Sequence, residues 1–261
     1  MQLKGKKLNR LLQIWPKNSV ATSSWLKKLG INYDLLSQYR RSQWVTSIGH
    51  GAVIRNGDKV DWTGAVFALQ KQLDLSVHPG GETALSLQGY AHYLSLGMKD
   101  LTLFSQSRER LPKWFCNYDW NIVLINYYTQ LFPRNCLVGF MPFNVGNFDL
   151  NISSPERAIF EILYTLPRKE SFEEVWLLFE GLTTLSPDIL QELLEKCSSF
   201  KVKRLFMVLA EFHQHSWLKR INCSRIDFGE GKRMFVPAGY LHPKYKITIP
   251  HSWKVVEEEG Y

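Results

Sequence analysis

Over roughly the first seventy residues the apolar positions change period in a way that spells out three helices and a hairpin. Leu8, Leu11, Leu12 and Trp15 recur at the three-and-four spacing of one helical face. A helix over 6–15 follows, and Pro16 stops it, because proline lacks an N–H and disfavours helical geometry in the residue before it. Thr22 or Ser23 can cap a second, short helix through Trp25, Leu26 and Leu29, with Gly30 as the left-handed residue after it. Asn32 can cap a third, Tyr33 to about Ser42, whose buried stripe is Leu35, Leu36 and Tyr39. Two short helices joined by a tight turn form a helix-turn-helix. Next, alternating and β-branched residues at Trp44–Ile48 and Ala52–Ile54 predict two strands, with Asn56-Gly57 in the stretch Arg55–Asp58 as the hairpin tip. A further helix, Trp62 to Leu73 with Val66, Leu69 and Leu73 in line, closes a winged helix-turn-helix over 1–73.

From Leu75 the pattern is mixed. A short strand and a Gly80-Gly81 turn precede a helix with Leu85, Leu87, Tyr90 and Leu94 on its apolar side, and strands are expected at Leu101–Phe104, Ile122–Ile125 and Leu137–Phe140. Ser154 can cap a helix with Pro155 at its first position and Glu156 in its first turn. Ala158, Ile159, Ile162 and Leu163 make that helix's apolar face, and Leu166-Pro167 ends it. Helices at Phe172–Phe179, Ile189–Cys197 and Lys201–Phe212 follow, then strands near Arg225–Phe228, Met234–Val236 and Lys246–Ile249. The predicted class is α+β: an N-terminal winged helix-turn-helix, then a larger mixed α/β domain over 74–261.

Charge sharpens this division. The net charge is +8, yet residues 1–73 hold twelve Lys and Arg against three Asp and Glu, a balance of +9 that leaves −1 for the rest. Such a block can neutralise several phosphates and release their counterions, so nucleic acid is the expected partner. Tyr33, Ser37, Gln38, Arg40 and Arg41 lie off the buried stripe of the third helix. In this motif that helix enters the major groove, where arginine reads guanine and glutamine reads adenine. Arg40 and Arg41 are adjacent, so at least one is expected to meet only phosphate. His50, Arg55, Asn56 and Lys59 are expected on or beside the wing, and Lys4, Lys6, Lys7, Lys27 and Lys28 against phosphates.

Composition adds limits. With 45% hydrophobic and 21% charged residues over 261 positions, the chain is globular and two domains are the default. No apolar run reaches the ~18 residues of a membrane helix. The start, MQLKGKKLNR, leads into no apolar signal core, so the cytoplasm is the expected compartment and no membrane is an expected partner.

Catalytic chemistry finds little footing. Cys116, Cys136, Cys197 and Cys223 show no CxxC spacing and are expected to be reduced, mostly core-filling thiols. Neither HExxH nor GxSxG occurs, Ser153 and Ser154 stand as a cap, and Gly80-Gly81-Glu82-Thr83 lacks the P-loop lysine. His213 and His215, two apart, would face away from each other on a helix. Asp227 with Glu230-Gly231-Lys232 is a nuclease-like trace, but Gly229 and Gly231 make it look like a turn. No enzyme, cofactor or metal is expected. Basic residues recur at Lys201, Lys203, Arg204, Lys219, Arg220, Lys232 and Arg233. Converged on one face they could meet DNA or RNA; otherwise they are helix-surface charge offset by Glu192, Glu195 and Glu211.

Longer stretches carry a family resemblance: GAVFALQKQLDLSVHPGGETALSLQGYAHYL, SSPERAIFEILYTLP, KVKRLFMVLAEFHQH and the ending DFGEGKR…YKITIP. These are similar to the AbiEi antitoxins, transcriptional regulators of type IV toxin–antitoxin systems encoded beside an AbiEii nucleotidyltransferase-like toxin. The resemblance runs from about Leu8 to Pro250. It implies a winged helix-turn-helix that binds inverted repeats in its own promoter. It also implies a C-terminal domain that neutralises the toxin, with no stable complex required, and often supports cooperative repression. On that reading the basic residues of the second domain form a candidate antitoxic surface. Two other readings stay open: a nuclease-like second domain acting through Glu230 and Lys232, or one that senses a ligand or builds a dimer.

Overall fold

The computed structural model describes residues 2–90, 100–167 and 171–253, with side chains from Lys7 onward. Its N-terminal elements form where their caps direct. Helix α1 (Gln2–Ile14) starts earlier than the apolar spacing suggests and ends before Pro16. A two-residue strand β1 (Ala21–Thr22) runs straight into α2 (Ser23–Lys28), whose cap is Thr22, accepting from the Trp25 N–H. Gly30 then takes φ +78°, the left-handed geometry that turns the chain without a Cβ penalty. Asn32 caps α3 (Tyr33–Arg41) by accepting from the Leu35 N–H at 3.0 Å, and Leu35, Leu36 and Tyr39 are buried.

The wing differs from its prediction in one informative way. Strands β2 (Val45–Gly49) and β3 (Ala52–Arg55) pair antiparallel, with Gly49 opposite Ala52 and Val45 opposite Arg55. The tip is therefore His50-Gly51, and Asn56-Gly57 lies past β3 at the other end of the hairpin. The Asn-Gly turn does form, with the Asp58 N–H donating to the Arg55 carbonyl and the Asp58 carboxylate accepting from the Asn18 N–H at 2.7 Å. It tethers the end of β3 rather than joining two strands. β1 adds to the far edge of β3, so the sheet has three strands in the order β1-β3-β2. Helix α4 (Trp62–Lys71) follows, capped by Asp61. Gly64 lets it approach the chain closely: a Cβ there would fall 2.1 Å from the Asn18 carbonyl oxygen. Buried Gln72, after α4, takes the Thr22 N–H on its amide oxygen and gives its amide to the Val20 carbonyl, so it pairs with β1 as a strand would. The core beneath is Leu8, Leu11, Trp15, Leu26, Ile31, Leu35, Leu36, Tyr39, Val45 and Val53.

The described chain continues through β4 (His78–Pro79), α5 (Gly81–Leu87), β5 (Asp100–Gln106), α6 (Lys113–Asn117), β6 (Val123–Thr129), β7 (Phe140–Asn144) and β8 (Asp149–Ser153). Next come α7 (Pro155–Thr165), α8 (Phe172–Glu180), α9 (Pro187–Lys196), α10 (Phe200–His213), β9 (Tyr240–Leu241) and β10 (Thr248–Ile249). The other described strands form three sheets, β4-β5-β6, β7-β8 and β9-β10. The chain is thus mixed helix and sheet, as an α+β class requires. It falls into two compact units that interleave in sequence, one drawn from 1–78, 99–128 and 142–152, the other from 79–98, 129–141 and 153–261. The first unit holds all of 1–73 and adds strands from the chain beyond it.

Within the second unit, α7 is enclosed by α5, α8, α9 and α10. Its sequence shows an apolar stripe, yet Glu156, Arg157 and Glu161 are buried as well, so the helix is central rather than half-exposed. Several expectations need correction here. The strand expected at Leu137 starts at Phe140, Arg225 ends a 3-10 turn, and Met234–Val236 forms no strand. Leu94, placed on a helix above, lies outside the described residues.

Candidate nucleic-acid interface

The N-terminus of α3, the start of α2 and the tip of the wing enclose a groove of ≈620 Å³. Ser23 and Lys27 line it from α2, Ile31 and Asn32 from the turn, Tyr33, Leu36 and Arg40 from α3, and Ser47, Gly49, His50 and Gly51 from the wing. The geometry has local causes. The Ser23 N–H donates to the Gly51 carbonyl at 2.8 Å, tying the wing tip to α2. Gly49 (φ +147°) lets the wing lie against α6, where a Cβ would meet that of Trp114 at 2.9 Å. Tyr33 is 75% exposed, a large aromatic held at the rim. Arg40 is half-buried, and its enclosed Nε has no acceptor among the described residues.

Four of the expected contact residues therefore meet in one groove: Tyr33, Arg40, His50 and Lys27. Ser37, Gln38 and Arg41 follow on the solvent side of α3, Ser37 half-buried and Gln38 and Arg41 exposed. Asp34 shares that exposed face and was missed by counting cations; an acidic side chain there repels phosphate but can accept from the cytosine amino group. Lys28 is exposed beside Lys27. Lys7 is exposed and donates to the Gly30 carbonyl at 3.2 Å. The side chains of Lys4 and Lys6 lie outside the described residues. Arg55 turns back onto the fold: Nη2 donates to the Leu12 carbonyl at 3.0 Å, and the guanidinium lies 5.1 Å from the centre of the Trp15 ring. Asn56 and Lys59 are exposed at the hairpin end away from His50.

In the second unit the basic residues do not share one surface. Lys203 and Arg204 are buried, at 3% and 2% exposure. Lys201 is half-buried and bonded to the Tyr164 and Leu166 carbonyls. Lys219 and Arg220 are exposed on a 3-10 turn, Arg220 within 3.4 Å of Asp188. Lys232 and Arg233 are exposed on a loop. Asp227 spends an oxygen on the Gly229 N–H at 2.8 Å. No cluster of three or more metal-ligating side chains occurs among the described residues. Cys136 and Cys197 are buried while Cys116 and Cys223 are exposed, all four as free thiols. His213 and His215 face each other rather than apart, stacked with ring centres 5.7 Å apart, because α10 ends at His213 and the chain turns through left-handed Gln214.

Sequence profiles of known families match nearly the whole chain. Residues 4–96 match the N-terminal domain of the AbiEi antitoxin transcriptional regulators, and residues 98–250 match the AbiEi antitoxin transcriptional regulator of type IV toxin–antitoxin systems. The chain belongs to the AbiEi family. It is an antitoxin and transcriptional regulator of the type IV class. Among solved structures, that of the RV2827C protein from Mycobacterium tuberculosis is similar at 14% identity and a TM-score of 0.51, over 94% of this chain and 90% of that one. At that identity the likeness is one of fold. No curated protein sequence matches. No described helix is long and apolar enough to cross a membrane.

The AbiEi segment SSPERAIFEIL, one of the stretches that carried the resemblance, is a buried clasp. Glu161 accepts from the Ser153 hydroxyl at 2.8 Å, the Gly81 N–H at 3.0 Å and Arg157 Nε at 3.3 Å. Arg157 also donates to the Val138 carbonyl at 2.9 Å, with its guanidinium between the rings of Phe140 and Phe132, 4.0 and 4.5 Å from their centres. Glu156 receives the Ser154 hydroxyl and the Ser186 N–H. Every charge in the segment is spent within the fold, so its role is to hold α7 in place.

Proposed function

We propose that this AbiEi antitoxin represses its own operon by seating α3 in the major groove of inverted repeats in its promoter, with the wing tip on the flanking backbone. We further propose that it neutralises an AbiEii-type toxin, without a stable complex being required. The observation that carries the first part is the groove that Lys27, Arg40 and the His50 tip line together. The excess of +9 in residues 1–73 supports it from a second direction. Tyr33, Ser37, Gln38 and Arg41 supply the base-facing side of α3, and half-sites spaced by whole helical turns fit one copy per repeat. The family's regulatory role, and the lack of any cluster of three metal-ligating side chains among the described residues, favour this over a nuclease-like reading through Glu230 and Lys232.

A gel-shift titration on the DNA upstream of the gene, at two salt concentrations and beside a scrambled duplex, tests it. Tight binding that prefers the native sequence is expected. Equal, salt-sensitive binding to both duplexes contradicts it. Co-expression with the neighbouring toxin gene tests the second part, with restored growth expected.

A further inference from the structure

Only three carboxylates stand among the twelve cations of residues 1–73, and two of them hold the fold. Asp58 accepts from the Asn18 N–H at 2.7 Å, and Asp61 caps α4 by accepting from the Thr63 N–H at 2.8 Å. The third, Asp34, does neither. It lies in the first turn of α3, but the cap there is Asn32, which accepts from the Leu35 N–H. Asp34 is exposed and makes no hydrogen bond or ion pair among the described residues. Four positions on, where a cation would complete an ion pair along the helix, stands Gln38.

At about 100° per residue, Asp34 and Arg41 fall within about 20° of each other, on the side of α3 opposite Leu35, Leu36 and Tyr39. Tyr33, Leu36 and Arg40 turn instead toward the groove that Lys27 and His50 line. The helix thus presents two lines of side chains, one toward the wing and one outward. In this motif the N-terminal residues of the second helix reach base edges. A carboxylate carried there is repelled by the phosphates on either side, and stripping its water is costly. It is accommodated only where a base offers a donor. Guanine and thymine present acceptors in the major groove, and adenine sets its N7 acceptor beside its amino group. Cytosine presents an amino donor with no acceptor beside it.

We infer, resting on the reading that α3 enters the major groove, that Asp34 is a specificity-determining residue: its carboxylate accepts from the amino group of a cytosine, while Arg41 donates to a guanine. Seven residues of helix span about 10.5 Å, so the two bases stand about three steps apart along the duplex. The adjacent arginines then divide, Arg40 to the backbone and Arg41 to a base.

Selection of duplexes from a randomised library by the full chain, read by sequencing, tests this. The parent should enrich a motif with a fixed cytosine and a guanine about three steps away. Asp34→Asn should exchange that cytosine for adenine, whose N6 and N7 an asparagine amide matches, and leave the other positions as they were. On the enriched duplex, replacing the C·G pair by T·A should weaken the parent about tenfold and Asp34→Ala less than about twofold, read by anisotropy. An acid that only complements the positive end of α3 would shift the urea midpoint slightly and move no base preference. If parent and Asp34→Asn enrich the same motif, Asp34 reads no base, and the assignment falls while the DNA reading stands. It falls also if Asp34→Asn loses the whole motif together with its urea midpoint, because Asp34 then holds the helix. A parent that enriches no motif overturns the placement of α3 in the groove, and the role of Asp34 with it.

Discussion

The two units use the same basic residue types in opposite ways. In the first, Lys27, Arg40 and Arg41 stand on short helices buried on one side only, so their charges face a groove or solvent. In the second, Arg157 and Arg204 sit on helices enclosed on most sides, and their charges are spent on backbone carbonyls, aromatic rings and one carboxylate. What separates them is the burial of the helix, not the chemistry of the side chain. A count of cations therefore points to a partner only where the helix that carries them is half-exposed.

The sharpest way to break this comparison is to remove a cation from each side. Arg204→Leu strands four carbonyls that now share one guanidinium, and should cost about 3–5 kcal/mol in urea unfolding. Arg41→Ala, on the exposed face of α3, should stay within about 0.5 kcal/mol of the parent. Equal losses would erase the distinction. Next in size, Gly64→Ala forces a Cβ against the Asn18 carbonyl and should destabilise the first unit by about 1–3 kcal/mol. The same unfolding curves check that its outward charges rest on a tightly packed base.

Arg40→Ala should leave stability alone and weaken operator binding by about 1–3 kcal/mol, read by fluorescence anisotropy. A smaller effect belongs to the second unit. Burial, and His215 stacked beside it, push the His213 imidazole down from 6.5 to about 4. The unfolded chain then binds a proton that the folded one resists, so stability should fall as the pH drops through that window and level off below it. The urea midpoint should fall more between pH 7 and pH 5 in the parent than in His213→Phe.

The N-terminal helices were legible because their signals are local. Thr22, Asn32, Gly30 and Pro16 act on neighbouring residues, and α2 and α3 form where those residues place them. The wing tip was misplaced because Asn56-Gly57 is a genuine turn with the wrong job, while the real tip relies on Gly49 and Gly51 and on α6 packed against it. Arg204 and Lys203 read as surface because KVKRLF looks amphipathic. The carbonyls that receive Arg204 stand 24 to 42 positions away, beyond the reach of periodicity. Of the groove, the α3 half could be read from the sequence. Its convergence with the His50 tip could not, since that depends on strand register.

That convergence is the claim to test first. Operator affinity should be measured by anisotropy for two paired variants, Lys27→Ala with Arg40→Ala and Asn56→Ala with Lys59→Ala. If the groove between α2, α3 and the His50 tip holds the DNA, the first pair should lose at least about tenfold, and the second should change far less. A larger loss from the Asn56 and Lys59 pair would put the DNA at the other end of the hairpin and contradict the account.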